Sequence, residues 1–208
     1  PGYSTGDAIA AIEQVAEETL PVGYGYEYSG MTREEINAGG QTIYIFALCL
    51  IFVYFLLAAQ YESYMLPFAV LLSLPIGLAG AFIFAWLFDV SNNIYLQITL
   101  IMLIGLLAKN AILIVEFAAD ARRKGASIPQ AAIQGAVARL RPILMTSFAF
   151  ILGLLPLMLA KGAGAIGNNA IGTGAIGGML IGTIFGVFVI PALFVVFQIL
   201  QEKVSSKK

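Results

Sequence analysis

Five stretches, approximately residues 41–60, 66–88, 94–117, 142–160 and 174–198, are apolar almost from end to end. About 20 helical residues cross the ~30 Å hydrocarbon core of a bilayer, and each stretch is near or beyond that length. The composition agrees, since 60% of the 208 residues are hydrophobic and 11% are charged, which belongs to a polytopic membrane protein rather than a soluble domain. The expected fold class is therefore an α-helical polytopic membrane protein with five transmembrane helices.

What precedes the first span has a different character. Ser4, Thr5 and Asp7 offer caps, and Ile9, Ile12, Val15, Ala16 and Leu20 recur at helical spacing as far as Pro21, predicting a helix. Val22, Tyr24, Tyr26 and Tyr28 then alternate with Gly23, Gly25 and Glu27, predicting a short strand with one aromatic face. One helix and one strand cannot bury a core of their own, so residues 1–30 are expected to end a larger α+β subdomain. Thr32-Arg-Glu-Glu35 is a capping-box pattern and predicts a short connecting helix over 31–40.

The charges are sorted along the chain and set its orientation. Tyr61-Glu-Ser-Tyr64 and Asp89-Val-Ser-Asn-Asn93 carry no Lys or Arg, whereas the third loop holds Arg122, Arg123, Lys124, Arg139 and Arg141, and the tail at 201–208 holds Lys203, Lys207 and Lys208. The positive-inside rule places the third loop and the tail in the cytoplasm. Five crossings then put the N-terminal piece outside, in the periplasm of a Gram-negative host. Ser127-Ile-Pro-Gln130 starts a further, amphipathic helix over 128–140, expected along the cytoplasmic membrane surface. Pro142 follows at the entry to the fourth span, where a proline either starts or kinks the helix.

Inside the third span sit Lys109 and Asn110. A lysine there costs roughly 3 kcal/mol on insertion scales and marks a functional position with a partner. The plainer reading is that it snorkels to the interface. Counting back from Glu116, Lys109 lies about 10 Å inside, and a helical side chain leans toward the N-terminus, here deeper into the bilayer. Depth and direction favour a buried, paired lysine. None of the chain's 12 acids falls in the middle of another apolar run, so the counter-charge is expected outside this sequence, which has the look of a fragment beginning at Pro1.

Other polar positions carry less. If the helix continues through Pro142, Arg139 and Thr146 are seven apart and share a face, a cation at the cytoplasmic mouth with a hydroxyl about 10 Å deeper; equally, Arg139 serves as a positive-inside residue and Thr146 bonds to its own helix. Gly174, Gly178, Gly182 and Gly186 form three small-xxx-small steps that let another helix approach closely, with Gly77, Ala81 and Ala85 a weaker version on the second span. Gly162-Ala-Gly-Ala-Ile-Gly167 matches a dinucleotide fingerprint in letter only, because it follows a transmembrane helix rather than a strand. The chain has no histidine and one cysteine, Cys49, so a His/Cys metal site and an internal disulfide are excluded. No P-loop is present, and energy must come from an ion gradient or a separate ATPase.

Gly105-Leu-Leu-Ala-Lys-Asn-Ala-Ile-Leu-Ile-Val-Glu-Phe117, Arg139-Leu-Arg-Pro-Ile-Leu-Met-Thr-Ser147 and Ala58-Ala-Gln-Tyr-Glu-Ser63 resemble the resistance-nodulation-division multidrug efflux transporters, in their hydrophobe/amphiphile exporter branch. The resemblance covers essentially the whole chain. It implies that residues 1–30 end the last porter subdomain and that the five spans are the eighth to twelfth of twelve. It also implies a proton relay in which Lys109, Arg139, Thr146 and Asn110 match the family's lysine, arginine, threonine and asparagine, with the acidic pair on a missing N-terminal half. Protons would be the coupling ion and no cofactor is implied. The expected setting is the bacterial inner membrane, as a homotrimer docked to a periplasmic adaptor and an outer-membrane channel. The expected cargo is small hydrophobic or amphiphilic drugs, and nothing points to nucleic acid. The alternative from another class is a membrane permease or assembly subunit powered by a separate ATPase; a third keeps the fold but exports lipids or metals.

Overall fold

The computed structural model describes residues 5–162 and 164–205. Among these residues are seven helices: α1 (Thr5–Thr19), α2 (Gly30–Tyr61), α3 (Leu66–Leu71), α4 (Leu74–Leu87), α5 (Ile94–Arg123), α6 (Ile128–Met158) and α7 (Ala165–Ser205). Five helical segments are long and apolar enough to cross a membrane: Tyr44–Tyr61, Leu66–Leu87, Ile94–Arg123, Ile128–Met158 and Ala165–Lys203.

Before the first of them, α1 ends at a turn in which Tyr24 donates to the Pro21 carbonyl at 3.1 Å, with Gly23 at φ 101° supplying the left-handed residue the turn requires. Residues 24–29 form no regular element and pair with no strand among the described residues. An alternating pattern makes a pleated segment, yet a strand is completed by a neighbour's backbone, and what lies alongside is α1. Tyr28 donates its hydroxyl to the Ile9 carbonyl at 3.4 Å and meets Tyr26 edge to face at 5.5 Å.

Helix α2 runs unbroken for 32 residues, with Ser29 as its N-cap in extended conformation; helix formation thus starts ahead of the Thr32 capping pattern, and no separate connecting helix precedes the span. The Ala58–Ser63 stretch then turns the chain. Glu62 adopts a left-handed conformation at φ 49° and its N–H closes on the Ala58 carbonyl. Ser63 Oγ accepts from the N–H groups of Met65 and Leu66 at 3.2 and 3.3 Å, satisfying orphan donors at the start of α3.

The span expected as one helix over 66–88 is broken at Leu72 and Ser73 into α3 and α4. Pro75 is the cause: it has no N–H to offer the Leu71 carbonyl, and its ring crowds that oxygen. Ser73 offsets the break by donating its hydroxyl to the Val70 carbonyl at 2.6 Å. Pro142, in contrast, lies inside a continuous α6, so the segment over 128–140 and the fourth span form one rod.

Asn93 starts α5 by accepting the Leu96 N–H on Oδ1 at 3.0 Å. The last helix, α7, has 41 residues and is about 60 Å long at 1.5 Å per residue, twice the hydrocarbon thickness. It forms the axis of the bundle, touching α3, α4, α5 and α6, whereas α2 touches α3 and α5. The core between them is Leu103, Ile104, Leu107, Ala111, Ile114 and Phe194, all buried.

Candidate functional site

Helix α5 has two distinct sides. Ile98, Met102, Gly105, Lys109, Glu116 and Asp120 are exposed, at the three- and four-residue spacing that makes one stripe. Leu103, Leu107, Ala111 and Ile114 face inward and are buried. Lys109 stands in the middle of the outer stripe, and a side chain added at Gly105, one turn away, would meet nothing within 4 Å. No acid among the described residues pairs with Lys109. Asn110, one residue on, turns inward; it is 8% exposed and its Nδ2 has no hydrogen-bond partner among the described residues.

Arg139 lies on α6 with its guanidinium carbon 3.8 Å from the centroid of the Phe117 ring on α5. Such a cation–π contact contributes about 0.5–2 kcal/mol, depending on desolvation. Its Nε is buried without a hydrogen-bond partner among the described residues. Thr146 is exposed and donates back to the Ile143 carbonyl at 3.0 Å, the self-bonding typical of a helical threonine. Continuity through Pro142 puts Arg139 and Thr146 on one side of α6. No hydrogen bond or ion pair among the described residues joins Lys109, Arg139, Thr146 and Asn110 to one another.

The glycines place α7 against its neighbours. A Cβ at Gly174 would lie 2.6 Å from Leu96 Cδ1, one at Gly178 2.3 Å from Leu103 Cδ1, and one at Gly182 2.5 Å from Leu107 Cδ2. Three glycines of α7 therefore receive three leucines of α5. Gly186 is different, because a Cβ there would meet Ile190 of its own helix at an ordinary 3.4 Å. A close backbone approach also occurs where α4 crosses α7. A Cβ on Gly80 would sit 2.7 Å from the Gly177 carbonyl oxygen, and one on Gly177 2.7 Å from the Gly80 oxygen.

Several further contacts escaped the sequence reading. The Ser147 and Thr183 hydroxyls meet at 2.9 Å between α6 and α7, with both residues buried. Arg122 grips Glu202 with two hydrogen bonds, Nε to Oε1 at 2.8 Å and Nη2 to Oε2 at 2.9 Å, and gives Nη1 to the Ala126 carbonyl. Gln198 adds a bond to the same carboxylate at 3.0 Å. Tyr61 donates to the Ile112 carbonyl at 3.2 Å, tying the end of α2 to α5. Hydroxyls in otherwise apolar spans are a usable signal for the first of these; for the Arg122–Glu202 pair, 80 residues apart, pattern offers none.

A model of the AcrB/AcrD/AcrF family matches residues 1–198. The chain belongs to that family. The toluene efflux pump membrane transporter TtgB of Pseudomonas putida is 50% identical over 94% of the chain and 18% of its own length. The solvent-resistant pump membrane transporter SrpB of the same species is 45% identical over 100% of the chain and 20% of its own. For the multidrug export protein AcrF of Escherichia coli the figures are 45%, 95% and 19%. The resemblance first seen in the stretches around Lys109, Arg139 and Ala58–Ser63 is thus borne out for the family, and the chain spans about a fifth of the length of these relatives.

Proposed function

We propose that the chain is the C-terminal part of a proton-driven exporter of hydrophobic or amphiphilic compounds in a bacterial inner membrane. The observation that carries this is Lys109, a cation midway along a membrane-length helix, on that helix's outer stripe and without an acid partner among the described residues. A lysine there needs a carboxylate brought by another segment. Protonating that carboxylate would release the ammonium and shift the helix bearing it, a local electrostatic event that biases a bistable bundle. Arg139, Thr146 and Asn110 complete this half of the relay, and the glycine rows hold its helices in register.

The same reading makes residues 1–30 the end of a periplasmic porter subdomain. Ile12, Val15, Leu20 and Tyr26 line an uncovered apolar hollow on α1 that the rest of such a subdomain would fill. The tail is cytoplasmic, and the assembly is a homotrimer docked to a periplasmic adaptor and an outer-membrane channel. Lys109→Ala in the whole protein should abolish proton-coupled efflux in proteoliposomes while leaving membrane insertion and assembly intact. Near-normal efflux in that variant would end the relay reading.

A further inference from the structure

Arg139 is held unlike the arginines around it. Arg122 is locked onto Glu202 and Arg123 lies 3.7 Å from Asp120. Arg139 rests instead on the face of Phe117, with a buried Nε that bonds to nothing among the described residues. The charged groups nearby give it no alternative partner. Helix α5 presents Glu116 and Asp120, with Lys124 just past its end, α6 presents Arg141, and α7 presents Glu202, already held by Arg122, and Lys203; none forms an ion pair with Arg139 among the described residues. Next to the ring, a cavity of about 440 Å³ is lined by Phe117, Asp120, Lys124, Gln134 and Ala138. It is room into which an unrestrained guanidinium could swing.

An arginine stays charged at every pH a cell reaches. In a proton relay it therefore acts through where its charge stands, not by carrying the proton. An aromatic face is a suitable seat, since it attracts the cation without titrating and without the strong hold of a carboxylate. We propose that Phe117 is a positioning residue of the relay: its ring fixes the Arg139 guanidinium on the α5–α6 seam, where its field favours proton release from the transport carboxylate. This rests on the relay reading above.

The sign follows from the charge. A cation near a carboxylate stabilises the ionised form and lowers its pKa. Without the ring the guanidinium relaxes into the cavity and toward Asp120, the carboxylate binds its proton more tightly, and release demands a higher pH. In the whole protein reconstituted into proteoliposomes, Phe117→Leu should lower efflux several-fold with the cytoplasmic side at neutral pH. It should move the midpoint of the pH–efflux curve upward by roughly one unit, with the rate recovering at alkaline pH. Phe117→Tyr, which keeps a ring, should restore the native midpoint. Phe117→Met, an unbranched apolar replacement, should behave as Leu does and serves if Leu assembles poorly.

A lower rate with an unmoved midpoint in both ringless variants would overturn the proposal, as would a Tyr variant shifted like Leu. Lys109→Ala run in parallel separates the two readings. If it abolishes coupling while the ringless variants keep the native midpoint, the positioning role alone fails; if it leaves coupling intact, the relay itself fails.

Discussion

Lys109 and Asn110 are chain neighbours with opposite surroundings, because successive residues on a helix point about 100° apart. The lysine stands on the open stripe and the amide is pressed into the bundle. Ser147 and Thr146 repeat the arrangement on α6: Thr146 bonds to its own backbone on the outside, while Ser147 is 2% exposed and reaches Thr183. A hydroxyl pair buried in an apolar bundle contributes about 0.6 kcal/mol on average across membrane helices, and more is lost when one partner is left unsatisfied. Ser147→Ala or Thr183→Val alone should therefore cost about 1 kcal/mol. The double variant should cost less than their sum, which thermal unfolding of the solubilised whole protein measures as a double-mutant cycle. Strict additivity would mean that the two hydroxyls do not interact.

Among the helices, what decides packing is whether an added atom meets backbone or a flexible side chain. At Gly174, Gly178 and Gly182 the nearest atoms are leucine methyls of α5, which can give way, although Gly178 also faces the Gly77 carbonyl at 3.0 Å. At Gly80 and Gly177 the obstacles include the partner's carbonyl oxygen at 2.7 Å, beside the backbone-anchored Cβ atoms of Ile181 and Phe84, and the helices themselves would have to separate. Gly80→Ala should thus destabilise the bundle by about 1–3 kcal/mol through overpacking. Gly186→Ala should be neutral or slightly stabilising, because alanine favours a helix by up to about 1 kcal/mol over glycine. Comparing the unfolding midpoints of the two variants checks both. Equal losses would refute a backbone crossing at Gly80.

For the molecule as a whole, α7 is held to α5 along its length by glycine–leucine contacts and near its C-terminal end by Arg122, Glu202 and Gln198. Helix α2 is joined to the bundle toward its C-terminal end, through buried Leu57, the Tyr61 hydroxyl and the Tyr54–Phe68 ring contact. A displacement of α5 can therefore pull the foot of α2, whose other end leads to residues 1–29. Earlier in the chain, the apolar side of α1 exposes Ile12 and Val15 by 54% and 58%, and contiguous exposed apolar surface of this kind marks a place where another segment packs. Ile12→Lys with Val15→Lys in the whole protein should lower the yield of assembled, protease-resistant protein. A yield equal to native would show that this side faces solvent.

Five membrane-length helices, a cation within one of them and the glycines Gly174, Gly178 and Gly182 were legible in the residues, because length, charge and helical period are local properties that chain order preserves; Gly186, read as the fourth of that row, faces its own helix instead. The same holds for the family, whose stretches around Lys109 and Arg139 are contiguous. Strand pairing over 22–28 was not legible, since alternation specifies a pleat and not a neighbour. The break before Pro75 had a local cause that a run of hydrophobic letters concealed. The seat of Arg139 on Phe117, the Ser147–Thr183 bond, the Arg122–Glu202 grip and the Gly80–Gly177 crossing belong to the tertiary structure alone. Periodicity tells which side of a helix a residue occupies, but what that side meets depends on how helices far apart in the chain come together.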